Sequence, residues 1–188
     1  MSPGKLIDPK QLSQVILRCS QEILEQMCKA KFSQDPQIAE REIIEYNSRI
    51  RALGLDKFNG PCYVAAITMY DSKESLAAKK PCGAFILYLE ETIAQEFLKA
   101  MSQGLDDEDE EMVMDNCGEL CNVIAGQFKN NIKEFGYHDL VISAPTKGKN
   151  DIPEGVDFEY NETKLQEVSF FIRKIKAVVI AITLAPAP

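Results

Sequence analysis

The chain has 188 residues, 45% of them apolar, which suits one compact domain with a buried core. Its 29 acidic against 21 basic residues give a net charge of −8, which speaks against a nucleic-acid partner, since phosphate neutralisation needs a basic face. No segment has the roughly 20 apolar residues of a membrane span, and MSPGKLIDPKQLSQ at the start has no apolar signal-peptide core. The expected address is the cytoplasm, with reduced thiols.

In chain order, residues 9 to 31 predict a first helix. Leu12, Ile16, Cys19, Ile23 and Met27 form one apolar stripe, and Asp8 before Pro9 fits an N-cap with proline at the first helical position. Residues 36 to 52, with Ile43, Ile44 and Ile50, predict a second helix ended by Gly54. YVAAITMY (63 to 70) and AFILYL (84 to 89) predict a strand pair joined by an exposed connection, DSKESLAAKKPCG. Residues 90 to 103 predict a helix with Gly104 as its stop. The acidic run DDEDEE (106 to 111) reads as solvated charge at a helix N-terminus, where it complements the dipole. A long helix follows from Glu110 to Phe135, stopped by Gly136. Asp139 to Ser143 predicts a strand reaching Pro145, and TKGKNDIPEG predicts a loop. Val156 to Tyr160, Val168 to Ile172 and Ala177 to Leu184 predict strands. The pattern indicates an α+β fold, long helices packed on a largely antiparallel β-sheet, over residues 1 to 188.

Most catalytic inventories are missing. The six cysteines, Cys19, Cys28, Cys62, Cys82, Cys117 and Cys121, contain no C-x-x-C pair, and the only histidine is His138. The thiols therefore read as buried apolar groups with no metal site. A serine or cysteine hydrolase would need His138, which has no motif around it and reads as a surface residue. No G-x-x-x-x-G-K-[ST] loop is present.

The long helix carries one unusual stripe. At about 100° per residue, Glu119 falls about 40° from Asp115, Asn122 about −20° and Gly126 about 20°. Val113, Cys117, Leu120, Ile124, Phe128 and Phe135 gather roughly opposite, so the core has its stripe without the polar trio. A bland reading is a wet helix face. Gly126 allows a close approach by another surface, or packing against a helix of the same chain.

Asp115-x3-Glu119-x2-Asn122-x22-Pro145, in the context EL-x-N-x-I-A-G, resembles the signature of the CheC/CheX/FliY family of chemotaxis phosphatases. The likeness runs more loosely from the first helix to Pro145, with residues 33 to 60 resembling an insertion relative to a minimal CheX. CheC-like members carry two such helices. Here the first helix offers Arg18-x3-Glu22-x2-Glu25, with no amide at the third position, so the resemblance implies one competent site, as in CheX.

The implied substrate is the phosphoaspartate of a CheY-like receiver domain in chemotaxis signalling. The resemblance also implies a homodimer, and Mg²⁺ on the receiver with no cofactor in this chain. An acyl phosphate is already activated, so a water held in line suffices. Asn122 takes that role by resemblance and by chemistry, since an amide hydrogen-bonds water without titrating. Glu119 is implied to pair with the receiver's active-site lysine. Asp115 supports Glu119 or the rim, and Pro145 shapes the strand end. The alternative is a non-catalytic dimeric binding module for a receiver or a flagellar-switch component. A third reading is a dimeric scaffold whose stripe is only solvated.

Overall fold

A computed structural model describes residues 7–101, 109–158 and 163–188. Its centre is a seven-stranded antiparallel sheet. The strands, with the helices between them, are α1 (Pro9–Met27), β1 (Gln37–Glu42), β2 (Glu45–Tyr46), β3 (Arg49–Leu53), β4 (Cys62–Tyr70), α2 (Lys73–Ala77), β5 (Gly83–Glu90), α3 (Glu91–Met101), α4 (Glu110–Asn131), β6 (Val141–Ile142), β7 (Thr146–Lys149), β8 (Asp151–Asp157), β9 (Lys164–Ile172) and β10 (Ile175–Leu184). The large sheet runs β1-β9-β10-β5-β4-β6, with β7 also on β4, and a small sheet runs β2-β3-β8.

Strand alternation splits the core into two. Tyr63, Ala65, Ile67, Phe85, Leu87, Leu89, Val178 and Ile180 face α1, α3 and α4. Val64, Ala66, Ile86, Tyr88, Val179 and Ala181 pack instead on Ile50, Ala52, Ile152 and Val156 of the small sheet. The molecule thus has three layers, helices on sheet on small sheet, as the α+β expectation required with one layer added. Burial on both faces is why β4 and β5 read as continuous apolar runs.

The first helix starts as expected: the Asp8 side chain accepts from the Lys10 N–H at 2.7 Å, with Pro9 at the first position. Its buried stripe is Leu12, Val15, Ile16, Cys19 and Leu24, with Ile23 and Met27 only partly buried. The long helix ends in a 3-10 turn at Ile132–Phe135, and Gly136, at φ 101°, closes it. Gly104 and Asp106 to Glu108 of the acidic run lie outside the described residues. Asp109 caps α4 by accepting from the Glu111 N–H.

Two expectations fail. Residues 36 to 52 form β1, β2 and β3, not a helix. β1 pairs with β9 from Gln37↔Ser169 to Glu42↔Lys164, and β2 turns into β3 through Asn47 and Ser48, both left-handed at φ 51° and 60°. That two-residue turn is the one hairpins favour. Ile43 and Ile50, seven apart, also suit a helix, but the ladder pairings with β9 and β8 prevail. TKGKNDIPEG is likewise two strands, β7 on β4 and β8 on β3. Asn150, at φ 66°, switches the chain between sheets. Its N–H donates to the Cys62 carbonyl at 2.8 Å, while its side-chain oxygen accepts from the Cys62 N–H at 3.1 Å. Smaller differences are a short helix, α2, within the 71 to 83 connection, and only Val141–Ile142 of the 139 to 143 strand.

Phe128 is fully buried, its ring 6.2 Å from that of Phe85, and it fastens α4 to the sheet. Phe128→Ala should lower stability by about 3–5 kcal/mol in urea denaturation; a loss below about 1 kcal/mol would show that α4 is held elsewhere.

Candidate functional site

Helix α4 presents two faces. Val113, Cys117, Leu120, Cys121, Ile124 and Phe128 are buried against the sheet, and Asp115, Glu119 and Asn122 are exposed. Glu119 and Asn122 are three residues apart, so their backbones are separated by about 4.5 Å along the axis. Neither side chain makes a hydrogen bond or ion pair within the described residues. Beside Glu119 lies an open groove of about 560 Å³, where Met27 of α1, Leu98 and Met101 of α3, and Met112 and Asn116 of α4 meet. Among the described residues, this face has space for a visitor.

Asp115 is placed differently. It pairs with Lys147 of β7, which crosses the helix to reach it. The crossing needs Gly118: a Cβ there would lie 2.6 Å from Lys147 Cδ and 3.5 Å from Pro145 Cγ. Pro145 sits between β6 and β7, both paired with β4, at the break where Ser143 bonds Thr68. Lacking an N–H, it suits an interrupted ladder. Two positions along β7, Lys149 bonds Glu91 at 3.0 Å and Glu110 at 3.2 Å, and these two hydrogen bonds, Glu91 first, raise its pKa above the ordinary lysine value. Among the described residues Gly126 meets nothing within 4 Å of its would-be Cβ, so packing against them does not account for it. The close approach is instead at Gly118, about 60° round the helix from Asp115. Its signal was the spacing of Lys147 and Lys149, two apart as on one side of a strand.

The first helix runs antiparallel beside α4. The Arg18 guanidinium donates to Asn131 at 3.3 Å near one end, and Met27 joins Met112 at the other. Arg18, Glu22 and Glu25 are exposed, but Glu22 and Glu25 accept from Gln26 and Gln21. The third position there is the carboxylate Glu25, where α4 has the amide Asn122. β1 to β3 lie on the β9 edge and on the sheet face opposite α4, so residues 33 to 60 leave the stripe uncovered.

Among the described residues no group of three or more His, Cys, Asp or Glu side chains could hold a metal ion, and no helix is long and apolar enough to cross a membrane. His138 is exposed in the turn before β6. All six cysteines are free and buried. Burial pushes Cys19 up to about 11 and Cys28, Cys62 and Cys82 up to about 12, so none is poised as a nucleophile near neutral pH.

The fold is shared with CheX- and CheC-like proteins of known structure. A CheX from Vibrio vulnificus has a TM-score of 0.58 at 18% identity, over 92% of this chain and 97% of that one. A CheC-like superfamily protein from Shewanella sp. PV-4 has 0.60 at 19%, over 91% and 95%. The CheX–CheY–BeF3–Mg²⁺ complex from Borrelia burgdorferi has 0.55 at 15%, over 92% and 96%. These likenesses show the fold. The family model for chemotaxis phosphatase CheX matches residues 77–152, a stretch that holds α4, Pro145 and Lys147 and leaves out α1. No curated protein matches the sequence.

Two outcomes follow from this geometry. Gly126→Ala should raise stability by up to about 1 kcal/mol, since alanine favours the helix and meets no obstacle. Gly118→Ala should show no such gain, because Lys147 must move; equal gains in chemical denaturation would contradict the crowding. The raised thiols also bind protons that the unfolded chain releases near its ordinary value of 9.0. Their contribution to stability is therefore full below pH 9 and is lost as pH rises towards about 12. The urea midpoint should fall from pH 8 to pH 10.5, and one that rose would reverse this assignment.

Proposed function

We propose that this protein is a CheX-type phosphatase, acting in the cytoplasm as a homodimer on the phosphoaspartate of a CheY-like receiver domain. The observation that carries the reading is a carboxylate and an amide, Glu119 and Asn122, without partners among the described residues and side by side on the solvent face of a helix anchored in the core. They lie within the stretch that matches chemotaxis phosphatase CheX. The Borrelia complex of a CheX with CheY supports a receiver as the partner.

In this reading Asn122 holds a water in line with the phosphorus, through its amide oxygen or nitrogen. The water oxygen bonds to phosphorus as the bridge to the aspartyl oxygen breaks. The products are a carboxylate and inorganic phosphate, and the water's proton leaves to phosphate or solvent. No protein nucleophile is required, which accords with cysteines that are all buried. Glu119 forms a charge-assisted hydrogen bond with the receiver's lysine and so sets where Asn122 arrives. Mg²⁺ belongs to the receiver, where it offsets phosphoryl charge. Asp115 and Pro145 support the face, and Gly126 leaves its lower end unobstructed for the partner.

The test is the decay of a phosphorylated CheY-like receiver from the same cell. Asn122→Ala and Glu119→Ala should each slow the assisted decay by on the order of a hundredfold, with native circular dichroism. Parent rates in both variants would show the site to be elsewhere. Saturable binding by the parent protein with unchanged decay would favour the binding module instead.

A further inference from the structure

We propose that Lys147 is a positioning residue for this same site, and the proposal rests on the phosphatase reading above. Its ammonium compensates Asp115, so that the face meeting a phosphoryl dianion presents one bare carboxylate, Glu119, and not two.

Asp115 and Glu119 are one helical turn apart on the same exposed face, a spacing at which like charges repel. Both would also repel an incoming phosphoryl group. Glu119 is free among the described residues to take a partner's cation. Asp115 is not, because Lys147 already pairs with it. The pair is built by the fold. Strand register sets Lys147 opposite Ala65 and Lys149 opposite Tyr63 on the strand beside α4. Lys149 is engaged by Glu91 and Glu110, which leaves Lys147 to reach Asp115. Gly118 gives the lysine stem its path across the helix, although glycine weakens a helix interior. A half-exposed ion pair contributes little to stability, so the pair's effect is expected at the face and not in the fold. Removing the lysine leaves Asp115 bare, to repel a phosphoryl group docked at Asn122 from two helical turns away, about 10.5 Å along the axis. At a surface, that repulsion is worth about tenfold in kcat/KM and weakens with salt.

A purely structural lysine, pinning Pro145 and β7 to the helix, predicts otherwise, and charge-changing variants separate the two. The experiment measures kcat and KM for hydrolysis of a CheY-like receiver phosphorylated with acetyl phosphate in Mg²⁺. Lys147→Met keeps the stem over Gly118 and removes the charge. It should lower kcat/KM about tenfold, mainly through KM, with an unchanged melting midpoint. Lys147→Arg should stay within about threefold of the parent. In an Asp115→Asn background, Lys147→Met should lose less than about twofold, because no charge remains to compensate. Equal losses in both backgrounds, or no loss in either, would overturn the proposal. If Asn122→Ala is inactive and Lys147→Met matches the parent, this proposal alone falls. If the parent protein leaves decay unchanged, the phosphatase reading falls and takes this one with it.

Discussion

Burial of one face of α4 fixes the rotation of the helix, and the candidate site depends on that rotation. Val113, Cys117, Leu120, Ile124 and Phe128 lie against β4 and β5 with almost no exposure. A helix so packed cannot turn by even one residue without bringing polar groups to the sheet and apolar ones to water. Asp115, Glu119 and Asn122 therefore face solvent as a consequence of the core. The same packing makes the face rigid, which the proposed positioning of a water would require.

Around that helix the remaining structure acts as support. The small sheet covers the far face of the large one, so β4 and β5 are buried on both sides and offer α4 a firm floor. β7 runs beside the helix and supplies two cations to an otherwise acidic surface, Lys149 to Glu91 and Glu110, Lys147 to Asp115. Of the Asp115, Glu119 and Asn122 stripe, those contacts leave Glu119 and Asn122 without partners among the described residues. A chain with its histidine exposed in a turn and its thiols buried has little nucleophilic chemistry to offer. Hydrolysis of a bond already activated on a partner asks for none.

Local signals made much of this legible. The first helix, the β4–β5 pair, the long helix with its Gly136 stop, and the division of α4 into two faces all follow from periodicity and capping that involve near neighbours. What escaped was set by distant partners. Residues 37 to 42 are a strand because β9 lies at the other end of the chain, and nothing in QIAERE announces it. Asn47–Ser48 was a readable turn, but three isoleucines drew the reading towards a helix. TKGKNDIPEG looked like a loop from its lysines and glycines. Its strands form because β4 and β3 offer free edges and Asn150 adopts a left-handed turn. At the site, Asp115, Glu119 and Asn122 were visible as a stripe, whereas Lys147 and Gly118 were not, because their contact crosses from strand to helix.

On the proposed function, the α4 face enters a receiver's phosphorylation site. Its most direct measurement is the structure of this protein bound to a CheY-like receiver carrying BeF3 and Mg²⁺. The expected complex has the Glu119 carboxylate on the receiver's lysine and the Asn122 amide within hydrogen-bonding distance of the water position in line with beryllium. A complex that docks through another surface, with Glu119 and Asn122 still in solvent, would contradict it.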